Sequence, residues 1–248
     1  MKTETDKHAE EWEVNRSQWE GKKSTQEAYR GIHQWIKGRI ELSPVLEIGS
    51  GLGKIKETIP DAITSDRGEN PWVDRKESAY KLNWPNESLG HIVMVDVWHH
   101  LRHQRKALQE CHRALKPGGS LILVEPDISL LGWLVYGLAH HEGVNWSKLP
   151  CGKEEGNPDD DEYFTCQASA HRALVRGEGE AAEEISRAWQ IVTVERKPMI
   201  RWLLSGGFKG PDFSGLGKDR SWPEQLEWIG EKIPALLSTR IFIELQKE

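Results

Sequence analysis

The sequence predicts an α/β fold: a doubly wound, mostly parallel sheet with helices on both faces. Three observations carry this. Short apolar runs alternate with helical patterns along the first half of the chain. The first apolar run ends in a cluster of glycines. The 248 residues, 37% of them hydrophobic, are enough to bury a core without disulfides or metals.

The elements follow in order. Residues 1 to about 24 are highly charged and read as a frayed helix or arm. A helical pattern opens at Ser24-Thr25-Gln26-Glu27 and runs to about Ile40, with Tyr29, Ile32, Trp35, Ile36 and Ile40 at helical spacing. Pro44–Ile48 reads as a buried strand, Ala62–Ser65 as a second and His91–Val97 as a third. Arg102–Leu115 is a helix with Ala107, Leu108, Cys111 and Leu115 on one face, stopped by Lys116-Pro117-Gly118-Gly119. Leu121–Val124 is the next strand. Ile191–Val194 and Arg240–Leu245 flank a helical stretch, Glu224–Leu237, and suit an antiparallel pair at the sheet edge. No internal repeat is present.

Composition excludes several classes. The longest nearly apolar stretch, Ile128–Ala139, is interrupted by Ser129, Gly132 and Gly137 and falls short of the ~20 residues that span a bilayer. The first residues lack the apolar run of a signal peptide. Cys111, Cys151 and Cys166 form no CxxC, which argues against a disulfide scaffold or structural zinc and for a cytoplasmic location. A formal net charge of −6 argues against nucleic acid as the partner. That charge is local. Residues 142–184 carry eleven acids and four bases, and the rest of the chain is nearly neutral. The segment reads as a solvated loop, or as a lid over a site. Tryptophan is overused, at 12 against 4 Phe and 4 Tyr.

The sharpest motif is Val45-Leu46-Glu47-Ile48-Gly49-Ser50-Gly51-Leu52-Gly53-Lys54. A strand runs into glycines and then into a helix start. Glycines allow the tight turn and let backbone N–H groups approach a ligand, and the helix start adds partial positive charge. The spacing is GxGxG, with Lys54 where the dinucleotide fingerprint GxGxxG has its last glycine. Glu47 suits a cationic amine better than a pyrophosphate. Asp66, ending the next strand, could accept from ribose hydroxyls. No Tyr-x-x-x-Lys surrounds any tyrosine, which disfavours a nicotinamide-dependent reductase.

Residues 44–126 resemble class I S-adenosylmethionine-dependent methyltransferases of the type 11, small-molecule branch. The resemblance lies in LEIGSGLGK, SAYKLNWPNES, HIVMVDVWHHL and LQECHRALKPGGSLILVEP, in that order. It implies a Rossmann-like sheet of seven strands and S-adenosylmethionine as cofactor. It implies that Glu47, Gly49, Gly51 and Gly53 hold the amino-acid part, Asp66 the ribose, and Ala79 and Tyr80 the adenine. Asp96 and Val97 would lie near the methionine and methyl group. Two departures stand out. Ser78 replaces the family's usual Asp, and the short Gly53–Asp66 segment leaves room for only one or two helical turns. The implied organisation is a helical arm or cap (1–40), a cofactor-binding core (41–126), an acceptor-side insert with the acidic loop (127–190) and the completion of the sheet (191–248). A looser resemblance of the C-terminal half, to methyltransferases beside glycosyltransferases, points to a sugar or glycolipid intermediate as acceptor.

Methyl transfer needs proximity and orientation above all, and a base only where the acceptor must lose a proton. His99, after the third strand, and His141, beside Glu142, are the candidate catalytic residues; packing and helix capping are their structural alternatives. His99 and His103 lack a companion carboxylate for a metal site, and none is expected. Glu125 could be a site carboxylate. Ser205-Gly206-Gly207-Phe208 reads as an acceptor-side loop or a helix end, and Arg196, Lys197 and Arg201 as a phosphate contact or a solvated face. The resulting reading is a methyltransferase with a small-molecule acceptor. The alternative is a non-catalytic, S-adenosylmethionine-binding regulatory or assembly protein.

Overall fold

A computed structural model describes residues 4–139, 144, 164–217 and 220–248. Helices α1 (Glu4–Gly21) and α2 (Lys23–Lys37) lead into β1 (Val45–Ile48), and β2 (Ile63–Asp66) and β3 (Arg75–Lys76) follow. Next come β4 (Leu89–Val95), α3 (Gln104–Ala114), β5 (Leu115–Pro126) and α4 (Leu130–Leu134). The chain closes with α5 (Ser169–Leu174), α6 (Glu180–Ala188), β6 (Gln190–Lys197), α7 (Ile200–Ser205), α8 (Trp222–Lys232), α9 (Pro234–Leu237) and β7 (Arg240–Gln246).

The seven strands lie in the order β3-β2-β1-β4-β5-β7-β6. Strands β1 to β5 are parallel, and β7 runs antiparallel between β5 and β6. The strand order reverses between β1 and β4, so a crevice opens at their carboxyl ends.

The strand period of two explains the layers. Leu46, Ile92, Met94, Leu121 and Leu123 face one side and pack with Ala107, Leu108 and Cys111 of α3 and Ile185 of α6. Val45, Val93, Ile122 and Val124 face the other side and meet Ile32 and Ile36 of α2. Those two isoleucines are fully buried one helical turn apart, each contributing about 1.5–3 kcal/mol of burial. Helix α1 has no apolar face and is anchored by the buried Trp12 and Trp19.

Several expectations shift. The strand expected at His91–Val97 ends at Val95, because Asp96 turns left-handed at φ 58°. Lys116-Pro117-Gly118-Gly119 stops α3 yet belongs to β5, where Gly118 donates to the Lys247 carbonyl and Gly119 accepts from Lys247. Strand β3 carried no hydropathy signal. After the glycine turn there is one 3-10 turn, Lys54–Glu57. The end of the acidic segment is not a loop: α5 and α6 occupy it, and Arg172, Arg105 and Arg187 pair with Glu178 and Glu184. The remainder expected as a loop or lid, 142–143 and 145–163, lies outside the described residues. No helix among the described residues is long and apolar enough to cross a membrane.

Candidate active site

The glycine turn sits at the carboxyl end of β1. Gly49, Gly51 and Gly53 all have positive φ, at 69°, 52° and 63°, but they serve different ends. A Cβ on Gly49 would stand 2.4 Å from a Val97 methyl, and one on Gly53 would stand 2.6 Å from the Trp72 carbonyl. Those two glycines let neighbouring chain close against the turn. A Cβ on Gly51 would meet nothing within 4 Å, so this position faces open space. Asp66 and Asn70 brace it: Gly51 N–H donates to Asp66 Oδ2 at 3.1 Å, and Asn70 Nδ2 donates to the Gly51 carbonyl at 2.6 Å.

A cavity of about 750 Å³ opens from this turn toward the second half of the chain. Glu47, Gly49 and Gly51 line one end. Asp96, His99, Tyr136, Trp202 and Arg240 line the other, and Trp12, Trp19, Tyr29 and Phe208 contribute to its walls. The cavity thus gathers Glu47, Gly49, Gly51, Asp96 and His99 from the residues singled out in the sequence. Gly53, Asp66, Ala79, Tyr80 and Val97 do not line it. Ala79 is buried in the core, and the Tyr80 hydroxyl accepts from the His103 N–H at 3.4 Å. Ser78 makes a local turn, its Oγ accepting from the Tyr80 N–H. His141, with His140 and Glu142, lies outside the described residues.

Glu47 is the residue whose environment asks for a ligand. It is 4% exposed, and its Oε2 has no hydrogen-bond partner. Burial pushes its carboxyl up to about 8, only partly offset by Ser50. A buried carboxylate without a cation is costly, so the site fits an ammonium brought by a ligand. An amino-acid-bearing cofactor whose remaining length lies along the glycine turn matches that demand.

At the far end of β4, Glu125 of β5 organises the chain. Its Oε1 accepts from the N–H groups of Val97 and Trp98 at 2.9 and 2.7 Å, and its Oε2 stands 2.6 Å from His99 Nδ1. Glu125 Oε2 is satisfied as an acceptor in this contact when His99 Nδ1 carries the hydrogen and donates. His99 is 3% exposed and presents its ring at the cavity. His100 instead places Nδ1 3.1 Å from the Phe164 carbonyl.

Next to it is a cluster that the sequence did not disclose. Both Nη groups of Arg240 contact the Asp96 carboxylate, and the Tyr29 hydroxyl donates to Asp96 Oδ2 at 3.0 Å. The guanidinium lies 4.1 Å from the Trp202 ring centre. Burial would push Asp96 up, but Arg240 holds its carboxyl below the usual range. Burial, together with the Asp96 charge, raises the Tyr29 phenol well above its ordinary value. The other basic candidates are paired elsewhere: Arg196 with Asp127, Lys197 with Glu195, Arg201 with Glu224. Gly206 is the left-handed end of α7, and the following loop is held by Lys22, which donates to the Gly207 carbonyl at 3.0 Å. No cluster of metal-binding side chains occurs among the described residues.

The fold and the cavity define a class I methyltransferase architecture: seven strands with β7 inserted antiparallel, and a ligand crevice beyond β1 and β4. Residues 57–123 match the family model described as a methyltransferase domain. The chain has the fold of class I S-adenosylmethionine-dependent methyltransferases, and the stretch that matches the methyltransferase-domain model lies in its core. Solved structures share the fold. A methyltransferase of this class from Thermotoga maritima is 19% identical, with 91% of this chain and 92% of that one covered at a TM-score of 0.56. One from Archaeoglobus fulgidus is 14% identical, with 90% and 94% covered and a TM-score of 0.56. Geranyl diphosphate C-methyltransferase from Streptomyces coelicolor A3(2), in complex with Mg2+, geranyl diphosphate and S-adenosyl-L-homocysteine, is 7% identical, with 89% and 79% covered and a TM-score of 0.53. No curated protein matches the sequence.

Proposed function

We propose that the chain methylates a hydroxyl or amine of a small molecule, with His99 as the base and Glu125 as the group that positions it. The observation that carries this is the 2.6 Å approach of Glu125 to His99 Nδ1 at the wall of the cavity. A hydrogen held on Nδ1 leaves the Nε2 lone pair as the basic site of the ring. Glu125 also stabilises the imidazolium that forms when His99 takes the acceptor's proton. When bound, S-adenosylmethionine supplies the electrophilic methyl group.

The chain's own residues supply binding and orientation. Glu47 would hold the cofactor's ammonium, and Gly49 and Gly51 would let its amino-acid part lie against the turn. Asp66 would turn toward ribose hydroxyls. Gly53 and Val97 shape the turn from behind, while Ala79 and Tyr80 remain adenine-side candidates through the segment they anchor. Tyr29, Trp202 and Phe208 form an aromatic wall suited to a ring or sugar face. Unpaired cysteine usage supports a cytoplasmic location, and the net charge of −6 supports a partner other than nucleic acid.

The test is release of S-adenosylhomocysteine from S-adenosylmethionine across a panel of alcohols, phenols, amines and glycosides. Turnover that falls by about 10²–10⁴ in His99→Ala, with cofactor affinity kept, supports the assignment. Undiminished turnover in that variant refutes the role of His99.

A further inference from the structure

The acceptor end of the cavity is built from charges that cancel within the protein. Arg240 begins β7, is only 2% exposed, and is the one arginine lining the cavity among the described residues. Both of its Nη groups are committed to Asp96, and its face is covered by Trp202. Asp96 is in turn filled by Arg240 and by the Tyr29 hydroxyl. Lys54, at the cofactor end, pairs with Glu57 at 3.0 Å, and Lys209 at the rim is engaged as well. Burial lowers His33 to about 4, so it is a neutral imidazole at physiological pH.

A phosphate or carboxylate entering this end would therefore find, among the described residues, no buried cation whose charge is unmet; only Arg240 Nε, a buried N–H without a hydrogen-bond partner, is left to donate, and one N–H suits a neutral oxygen. The anion would have to break a buried ion pair, leaving Asp96 uncompensated, at a cost of several kcal/mol. A cationic acceptor meets the mirror problem, because the Asp96 carboxylate is already shared between a guanidinium and a phenol. What the walls do offer is flat aromatic surface: Tyr29 and Phe208 lie with ring centres 5.4 Å apart, and Trp202 and Tyr136 lie 6.3 Å apart.

Resting on the methyltransferase reading above, we infer that the acceptor is uncharged and presents a ring face beside its reacting hydroxyl or amine. The class is a phenol, an aromatic alcohol or an unphosphorylated sugar derivative. Phosphorylated and carboxylated relatives of the same skeleton are excluded by the Asp96–Arg240 pair, which makes Arg240 and Asp96 specificity determinants. The basic group Arg196, Lys197 and Arg201 is not at hand for an acceptor phosphate either, because each is paired outside the cavity.

The test uses the full chain saturated with S-adenosylhomocysteine. Calorimetric binding of that ligand is measured first and checks the cofactor site by itself. Benzyl alcohol, benzoate and phenyl phosphate are then compared by saturation-transfer NMR. The expected order has benzyl alcohol binding at least tenfold more tightly than either anion. Asp96→Asn exposes the Arg240 charge and should invert that order. If Asp96→Asn does not fold, Arg240→Gln is used with benzylamine, whose binding should tighten at least tenfold against the freed carboxylate. Anions binding the wild-type complex as tightly as benzyl alcohol, none of the three binding it, or an unchanged preference in a folded variant would each overturn the inference.

Discussion

The carboxylate of Glu125, at the end of β5, binds the imidazole of His99 and the backbone that carries it, with Oε2 2.6 Å from Nδ1 and Oε1 accepting from Val97 and Trp98. One side chain thus fixes both the chain turn after β4 and the orientation of the candidate base. Glu125→Ala would leave these buried donors without an acceptor. The expected cost is about 3 kcal/mol or more, read as a clear drop in thermal midpoint. Glu125→Gln keeps an acceptor oxygen and should fold better, yet lose turnover through the misplaced imidazole. Equal stability of wild type and Glu125→Ala would contradict this role.

Glu47 gives cofactor binding a pH dependence with a definite sign. Its carboxyl is raised to about 8 without a ligand, and an ammonium ligand favours the ionised form. Below pH 8 binding must release a proton, so affinity should rise by about tenfold per pH unit as pH climbs toward 8. Calorimetry with S-adenosylhomocysteine in buffers of different ionisation enthalpy measures that proton. The stability of the ligand-free protein moves the other way. Between the unfolded carboxyl value near 4.5 and the folded value near 8, the folded state holds the extra proton, so this residue's contribution declines as pH rises. Glu47→Gln should remove the proton release and flatten the affinity profile.

The three glycines of the turn should respond differently to a methyl group. Gly53→Ala places a Cβ 2.6 Å from the Trp72 carbonyl at positive φ, and should cost about 1–2 kcal/mol from backbone strain alone, before the clash. Gly51→Ala carries comparable backbone strain but no clash, because nothing lies within 4 Å. Its main effect should be on cofactor affinity, and Gly51→Val should weaken binding further. Denaturant unfolding and cofactor calorimetry on each variant separate the two effects. A Gly51→Ala protein with full affinity would remove Gly51 from the binding surface.

Much of this was legible in the sequence because it is local. The turn after β1, strands β2 and β4 and helix α3 follow from periodicity and glycine placement, and Glu47 stood out as an acid inside an apolar run. Strand β3 was not legible, since Arg75 and Lys76 carry no apolar pattern and pair only through backbone with Ser65 and Asp66. Asp96 was singled out by position, but its partner Arg240 lies 144 residues away. The available sign was an arginine opening a mostly apolar strand, RIFIEL, which periodicity reads as a strand end. Trp12 and Trp19 were assigned to a charged arm. They line the cavity because they are the large apolar side chains with which α1 docks, Val14 being exposed. Among the described tryptophans, Trp202 alone joins them on the acceptor side, while Trp133 and Trp228 are exposed.

A second buried ionic group, away from the cavity, should govern stability rather than activity. Asp127 is fully buried, with His171 Nδ1 at 2.6 Å from Oδ1 and Arg196 Nε at 2.7 Å from Oδ2. Burial would raise its carboxyl, but His171 and Arg196 hold it below the ordinary value. A depressed carboxyl contributes stability above its unfolded value near 3.8 and loses it as pH falls through the folded value. Asp127→Asn strips the counter-charge from the buried His171 and the half-buried Arg196 and should cost about 3–5 kcal/mol at neutral pH. The gap to wild type should narrow as pH falls below about 4. A gap that stays constant across that range would show that charge is not what Asp127 contributes.

The N-terminal arm is held over the cavity by polar contacts to the loop after α7. Lys22, between α1 and α2, donates to the carbonyls of Gly207 and Gly210, while Thr25 Oγ1 donates to Gly207 at 3.2 Å and Ser24 Oγ to Asp212 at 2.9 Å. These contacts join the start of α2 to the loop after α7, and both segments carry cavity walls: Trp12, Trp19 and Tyr29 on one side, Phe208 on the other. Lys22→Met keeps the aliphatic stem and removes the ammonium. It should cost about 1.5–3 kcal/mol, the range for hydrogen bonds to a charged donor. Amide exchange should quicken in α1 and in residues 206–213 together, because each braces the other, while the β4–β5 core stays protected. Faster exchange in only one of the two segments would show that Lys22 does not couple them.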